Sequence, residues 1–172
     1  MLIELDKWYK IMAPRTTVLV STVDAQGRTN AAPFSFVMPV SGKPPILAVA
    51  MAPTRHTLAN IKETGDFVVN LPGEELLTQL MVCAKPLPRG SSEIKEAGLH
   101  EEKAKTVSSP RIRECFGWFE CKLREIVDAG DHQIVLGDIL QAEAAEQGSA
   151  PLLHIGGADF SLPGKVLKAG SK

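Results

Sequence analysis

The sequence predicts a mainly β protein: an antiparallel barrel of six or seven strands with a few short α-helices at its periphery. Segments in which apolar and polar residues alternate recur along most of the 172-residue chain. Two pairs of them are joined by short glycine-bearing turns, Asp24-Ala25-Gln26-Gly27 and Asp128-Ala129-Gly130-Asp131, and read as hairpins. Helical spacing is confined to short stretches between strands.

Taken in order, Leu5 to Met12 reads as a short helix that stops before Pro14. Thr17 to Val23 follows as a strand with Val18, Val20 and Thr22 on one face and Leu19, Ser21 and Val23 on the other. Its partner runs from Arg28 to Val40 and is interrupted at Pro33, which implies an edge or a bulge. Ile46 to Met51 is apolar on both faces, as an interior strand should be. Thr57 to Thr64 has helical spacing, with Thr57 as the expected cap and Gly65 as the stop. Asp66 to Leu71 is another strand, and Glu74 to Val82 an amphipathic helix.

From Lys85 to Pro110 proline, glycine, serine and charge dominate, which predicts a long surface excursion with one helical turn near Ser92 to Ala97. Two long strands, Cys115 to Val127 and Gln133 to Ala144, form the second hairpin. The tail from Leu152 to Val166, split by Gly156-Gly157, is expected to close the sheet.

Length and composition narrow the function classes. The chain fits one domain over residues 1–172, large enough to bury a core without disulfides. With 19 basic and 20 acidic residues it has no net field to hold a nucleic acid or an anionic membrane surface. The apolar run Ile46 to Ala52 is far short of the roughly 20 residues of a membrane-spanning helix. Met1 to Lys10 lacks the apolar core of a signal peptide, so a cytoplasmic location is expected. Cys83, Cys115 and Cys121 are odd in number and not paired as C-x-x-C, and read as reduced core residues. His56, His100, His132 and His154 stand singly, and no metal is expected.

Three constellations could carry chemistry. In Asn30-Ala31-Ala32-Pro33-Phe34-Ser35, small residues admit a flat ligand to the backbone, Pro33 removes a ladder donor, and Asn30 and Ser35 offer polar groups. The same segment also reads as a plain edge strand with a proline bulge. Ala52-Pro53-Thr54-Arg55-His56-Thr57 ends a strand and opens a helix, with Asn60 one turn on. Free N–H groups, Arg55 and two hydroxyls suit a phosphate there, although an ordinary helix start has the same look. Gly130-Asp131-His132 places a histidine at a hairpin turn, facing either a ligand or water.

Together these segments resemble the flavin reductase-like family of FMN-binding split barrels. The likeness starts at Pro14-Arg15 and Val20-Ser21-Thr22 and runs through Gly27-Arg28-Thr29-Asn30 into Ala32-Pro33-Phe34-Ser35. It resumes at Thr57-Leu58-x-Asn60-Ile61, Glu63-Thr64-Gly65, Phe67 to Leu71 and Glu96-Ala97-Gly98-Leu99. It ends with Glu120 to Leu123, Gly130-Asp131-His132, Gly137 and Pro151-Leu152-Leu153-His154-x-Gly156-Gly157.

The resemblance implies a Greek-key split barrel and a homodimer with FMN near the subunit interface. It assigns Ser21, Thr22 and Val23, with Asn30, Ala31, Ala32, Pro33, Phe34 and Ser35, to the isoalloxazine ring and ribityl chain. Arg55, Thr57 and Asn60 are assigned to the phosphate, and His132 to a catalytic place beside the flavin, where it helps seat a nicotinamide. His56 stands where members often carry an acidic or small polar residue. The activity implied is hydride transfer from NAD(P)H to FMN, with FAD as the alternative flavin, and onward passage to free flavin, a protein or a ferric chelate. A flavoredoxin-like carrier without a nicotinamide site, and a non-catalytic ligand-binding barrel, are the competing readings.

Overall fold

The computed structural model describes residues 2–145 and 149–169. After a 3-10 turn at Trp8–Met12, β1 (Arg15–Thr16) leads into β2 (Val18–Val23), which returns through Gly27, at φ +77°, as β3 (Thr29–Phe34). Asp24 shapes that turn by accepting from the N–H groups of Gln26 and Arg28, each at 2.9 Å. β4 (Val37–Gly42) and β5 (Pro45–Met51) make the next hairpin, followed by α1 (His56–Thr64), β6 (Asp66–Leu71) and α2 (Leu77–Cys83). The one-turn α3 (Glu93–Glu96) and the short strands β7 (Glu101–Glu102) and β8 (Arg111–Ile112) precede the long hairpin of β9 (Gly117–Ala129) and β10 (His132–Ala144). β11 (Leu153–Gly156) and β12 (Asp159–Ser161) close the described chain.

Seven strands form one antiparallel sheet in the order β3-β2-β6-β9-β10-β5-β4. Its two edge strands are neighbours in sequence, joined only by Ser35 and Phe36. A flat seven-stranded sheet would hold its edges about 29 Å apart at about 4.8 Å per strand, whereas the link from Phe34 to Val37 spans at most about 11 Å. The sheet must therefore curl into a barrel, with β3 and β4 flanking the seam.

Both faces of the barrel wall are covered along β2 and β6, which is why those strands are buried on both sides, whereas β4 and the far parts of β9 and β10 carry exposed positions. Inside, Val18, Val20, Val49, Phe67, Cys121 and Val135 pack together, and α1 adds Leu58 and Ile61. Outside, Leu19 and Ala31 pack against Leu80 of α2, Ile94 of α3 and Ile112. All three cysteines are buried and unpaired by disulfide.

The excursion after α2 is pinned to the barrel by a buried ion pair. Glu120 on β9, fully enclosed, accepts from Arg111 Nε at 2.6 Å and from the N–H groups of Lys105 and Thr106. Arg111 also donates to Glu143 on β10 at 2.8 Å, and Lys105 pairs with the same carboxylate.

Several elements depart from the sequence expectation. Pro33 does not interrupt its strand: it pairs with Leu19 on an edge where its missing N–H costs no ladder bond, and the break comes at Ser35-Phe36. Thr57 lies inside α1, whose N-cap is Arg55, because its hydroxyl is engaged by Asn30. The excursion is less superficial than its composition suggests, since Glu93, Ile94, Leu99 and Ser109 are buried. The tail does not extend the main sheet; β11 pairs with β1 on one side and β12 on the other in a separate three-stranded sheet, turned at Gly157.

Candidate functional site

Two cavities lie along β3, where the start of α1 and the end of α2 face it, and we treat them together as one groove. One, of about 260 Å³, is bordered by Asn30 and Ala32 of β3, Arg55 to Thr57 and Cys83. The other, of about 170 Å³, takes up at Pro33 and Ala84, the next residues of the same two segments. The groove thus has a polar end and an apolar end.

The polar end is built on the start of α1. Arg55 is extended, at φ −75° and ψ 133°, and contributes no side-chain cap, so the first N–H groups of the nine-residue helix lack a side-chain acceptor. Such a terminus carries a partial positive charge and favours an anion. Arg55, His56 and Lys85 surround it with cationic or donor side chains. Lys85 was not anticipated from the sequence, because it follows a helix that nothing local ties to β3.

Beneath that end lies a buried polar relay. Asn30 Nδ2 donates to Glu93 Oε2 at 2.8 Å, and Asn30 Oδ1 accepts from Thr57 Oγ1 at 2.9 Å. Glu93 Oε2 also accepts the Ala31 N–H at 3.3 Å. Burial pushes the Glu93 carboxyl above the usual range, opposed by these donors and by nearby His56. Burial, with the neighbouring Glu93 charge, likewise pushes the Cys83 thiol up to about 12, which makes it inert. Thr57 spends its one hydroxyl proton on Asn30, so towards an anion it offers its backbone N–H.

The apolar end is lined by Pro33, Phe34, Met81 and Phe160, with Ser35, His154 and Thr17 as its polar members. Ser35 Oγ lies 3.1 Å from His154 Nδ1, and His154 Nε2 lies 3.2 Å from the Gly157 carbonyl. The Thr17 hydroxyl is buried without a hydrogen-bond partner among the described residues. A flat ring with polar edges matches this lining, and a phosphate monoester matches the other end, so the donor set fits a flavin mononucleotide.

Of the residues singled out in the sequence, Asn30, Ala32, Arg55 and Thr57 border the polar end, and Pro33, Phe34 and Ser35 the apolar end. Ala31 points away into the outer core. Ser21, Thr22 and Val23 border neither cavity. Ser21 Oγ donates to the Pro110 carbonyl at 2.5 Å, and Thr22 Oγ1 accepts from Asn60 Nδ2 at 3.1 Å, so these side chains and Asn60 hold β2 to its neighbours. His132 stands outside the groove, its ring 5.5 Å from that of Phe36 and its Nδ1 2.7 Å from Asp131 Oδ1. That contact holds the Asp131 carboxyl below the usual range. Phe36 follows Ser35 in the chain but borders a separate hollow with Trp8, Tyr9 and Met38, and His132 borders neither cavity of the groove. Glu93, Lys85 and His154 carried no local signal of a site, since each meets β3 only through the fold.

Comparison with known proteins agrees with this architecture. A match to the family described as "Flavin reductase like domain" spans residues 12–163, and the chain belongs to that family. A relative from Methanothermobacter thermautotrophicus is 35% identical over 136 residues, covering 77% of this chain and 64% of its own length. A flavin reductase from Pseudomonas putida is 27% identical over 154 residues, covering 88% of this chain and 87% of its own. Among solved structures, nitrilotriacetate monooxygenase component B from Bacillus cereus superposes with a TM-score of 0.88 at 23% identity, over 98% of each chain, and shows the same fold.

Proposed function

We propose that this chain is an FMN-dependent oxidoreductase that takes hydride from NADH or NADPH and passes the electrons to a further acceptor. The single observation that carries this reading is the groove along β3, whose cationic helix start at Arg55 to Thr57 and apolar pocket at Pro33 to Ser35 have the chemistry of the two ends of FMN. FMN supplies the hydride-accepting centre. The chain's own part is to bind, orient and exclude water.

In this reading the N–H groups of α1, Arg55 and Lys85 hold the phosphate. Asn30, fixed by Glu93 and Thr57, keeps the wall of β3 rigid beneath the ribityl chain. Phe34, Met81 and Phe160 dry the ring pocket. His132, braced by Asp131 against Phe36, stands outside the groove, on the side from which a nicotinamide would approach.

A homodimer belongs to the same proposal. Exposed Trp8, Met12, Phe36 and Met38 surround an apolar hollow of about 370 Å³ beside the seam, a surface that a second copy would cover. A cytoplasmic location fits a chain in which no helix of the described residues is long and apolar enough to cross a membrane.

Anaerobic stopped-flow mixing of the FMN-loaded protein with NADH and with NADPH tests the activity. Loss of flavin absorbance with either nucleotide alone supports it. Bleaching only after a reduced partner protein is added would move the chain to the electron-carrier reading.

A further inference from the structure

We propose that His154 is a positioning residue for the flavin ring: by accepting a hydrogen bond from the Ser35 hydroxyl it leaves Ser35 Oγ as an acceptor that selects the ring's N3–H edge. The proposal rests on the flavin reading of the groove.

The geometry fixes the histidine tautomer. A carbonyl only accepts, so the 3.2 Å contact with the Gly157 oxygen requires a proton on His154 Nε2. In the neutral ring Nδ1 then carries a lone pair. Two donors face it, Ser35 Oγ at 3.1 Å and Arg15 Nη2 at 3.5 Å. Ser35 is the nearer donor, and it commits its one hydroxyl proton to the hydrogen bond with His154. Towards the groove Ser35 therefore presents lone pairs only.

An oxidised isoalloxazine ring offers acceptors at N1, N5 and both carbonyl oxygens, and a single N–H at N3. An acceptor-only Ser35 meets that N–H favourably and every other polar position of the ring edge unfavourably. A freely rotating serine would tolerate all of them. His154 thus converts an indifferent hydroxyl into a group that sets the ring's register, as a difference between matched and mismatched polar contacts. Thr17, 3% exposed and on the same cavity, has a hydroxyl with no partner among the described residues, which is a second polar group left for a ligand.

The competing role for His154 is structural: its Nε2 staples the β11–β12 turn through Gly157, and its ring packs 5.2 Å from Phe160. The two roles use different nitrogens, and amide side chains separate them. Asparagine places an acceptor near the position of Nδ1, whereas glutamine reaches towards that of Nε2.

The experiment is measurement of FMN dissociation constants for the wild type, H154N, H154Q, H154F, S35A and the S35A/H154F pair. We expect S35A to bind FMN about tenfold more weakly, the loss an ordinary buried hydrogen bond produces, and H154F and H154Q about threefold to fivefold more weakly, because a freed Ser35 can still accept from N3–H but is no longer held to that role. H154N should stay within about twofold of wild type, and the double variant should bind no more weakly than S35A alone. With 3-methyl-FMN, which lacks the N3–H, wild type should bind about tenfold more weakly than with FMN, and S35A should show a smaller gap. Recovery by glutamine but not asparagine, additive losses in the pair, or an unchanged affinity in S35A overturns the proposal, and S35A decides the matter even if H154F does not fold. If wild type binds FMN and these variants match it, this proposal alone fails. If wild type does not bind FMN, the flavin reading fails and takes this proposal with it.

Discussion

Asn30 and Glu93 lie 63 positions apart in sequence and are joined by a 2.8 Å hydrogen bond in the interior. That bond sets the orientation of the Asn30 amide, and Thr57 completes it from α1. Three separate segments therefore meet under the polar end of the groove. Replacing Glu93 with alanine strands the Asn30 amide and the Ala31 N–H in a buried site. The expected cost is about 1–3 kcal/mol, read from urea denaturation, together with weaker FMN binding.

Glu93 also predicts a pH signature. Its carboxyl is raised in the fold by burial, so its contribution to stability is complete below the ordinary glutamate value and declines as the pH rises through the raised one. Glu93→Gln cannot ionise. Its stability relative to wild type should improve from pH 4 to pH 8, and a difference independent of pH would count against a raised Glu93.

Glu143 works with the opposite sign. Hydrogen bonds from Arg111 and Lys105 lower its carboxyl to about 2. The stability it lends is present above the ordinary glutamate value and lost as the pH falls towards about 2. Glu143→Gln should therefore be less stable than wild type near neutrality, and the two should converge in strong acid. Arg111 is the costlier member of this group, since it is 2% exposed and its removal leaves buried Glu120 without its cation. Arg111→Leu should lose about 3–5 kcal/mol, measured by chemical denaturation.

Gly137 is a packing requirement. A Cβ there would lie 2.5 Å from Phe67 Cζ and 3.2 Å from Cys121 Cβ, both in the inner core. Gly137→Ala should cost about 1–3 kcal/mol through overpacking, seen as a lower melting temperature. FMN affinity should change little, because Gly137 borders neither cavity of the groove.

The strands were legible because their causes are local. Local apolar patterning placed β2, β5, β6, β9 and β10, by an unbroken apolar run in the case of β5, and Gly27, Gly65 and Gly130, at φ between +69° and +77°, marked where the chain turns. The β3 segment and the start of α1 were recognisable as two halves of a site for the same reason. What the sequence concealed depends on distant meetings. Lys85, Glu93 and His154 become part of the groove only when α2, α3 and β11 dock near β3. Conversely, Ser21, Thr22 and Asn60 have polar side chains that the fold spends on holding strands together, and a linear reading does not separate structural from ligand-facing hydroxyls.

The central claim is that the groove along β3 holds a flavin by both ends, phosphate at α1 and ring at Ser35. The most direct test is parallel titration of the purified protein with FMN and with riboflavin, which lacks the phosphate, in wild type and in Arg55→Ala and Lys85→Ala. One FMN per chain is expected, with riboflavin bound at least about tenfold more weakly and each variant losing about tenfold for FMN but little for riboflavin. Failure to take up FMN, or equal affinity for the two ligands, would contradict the claim.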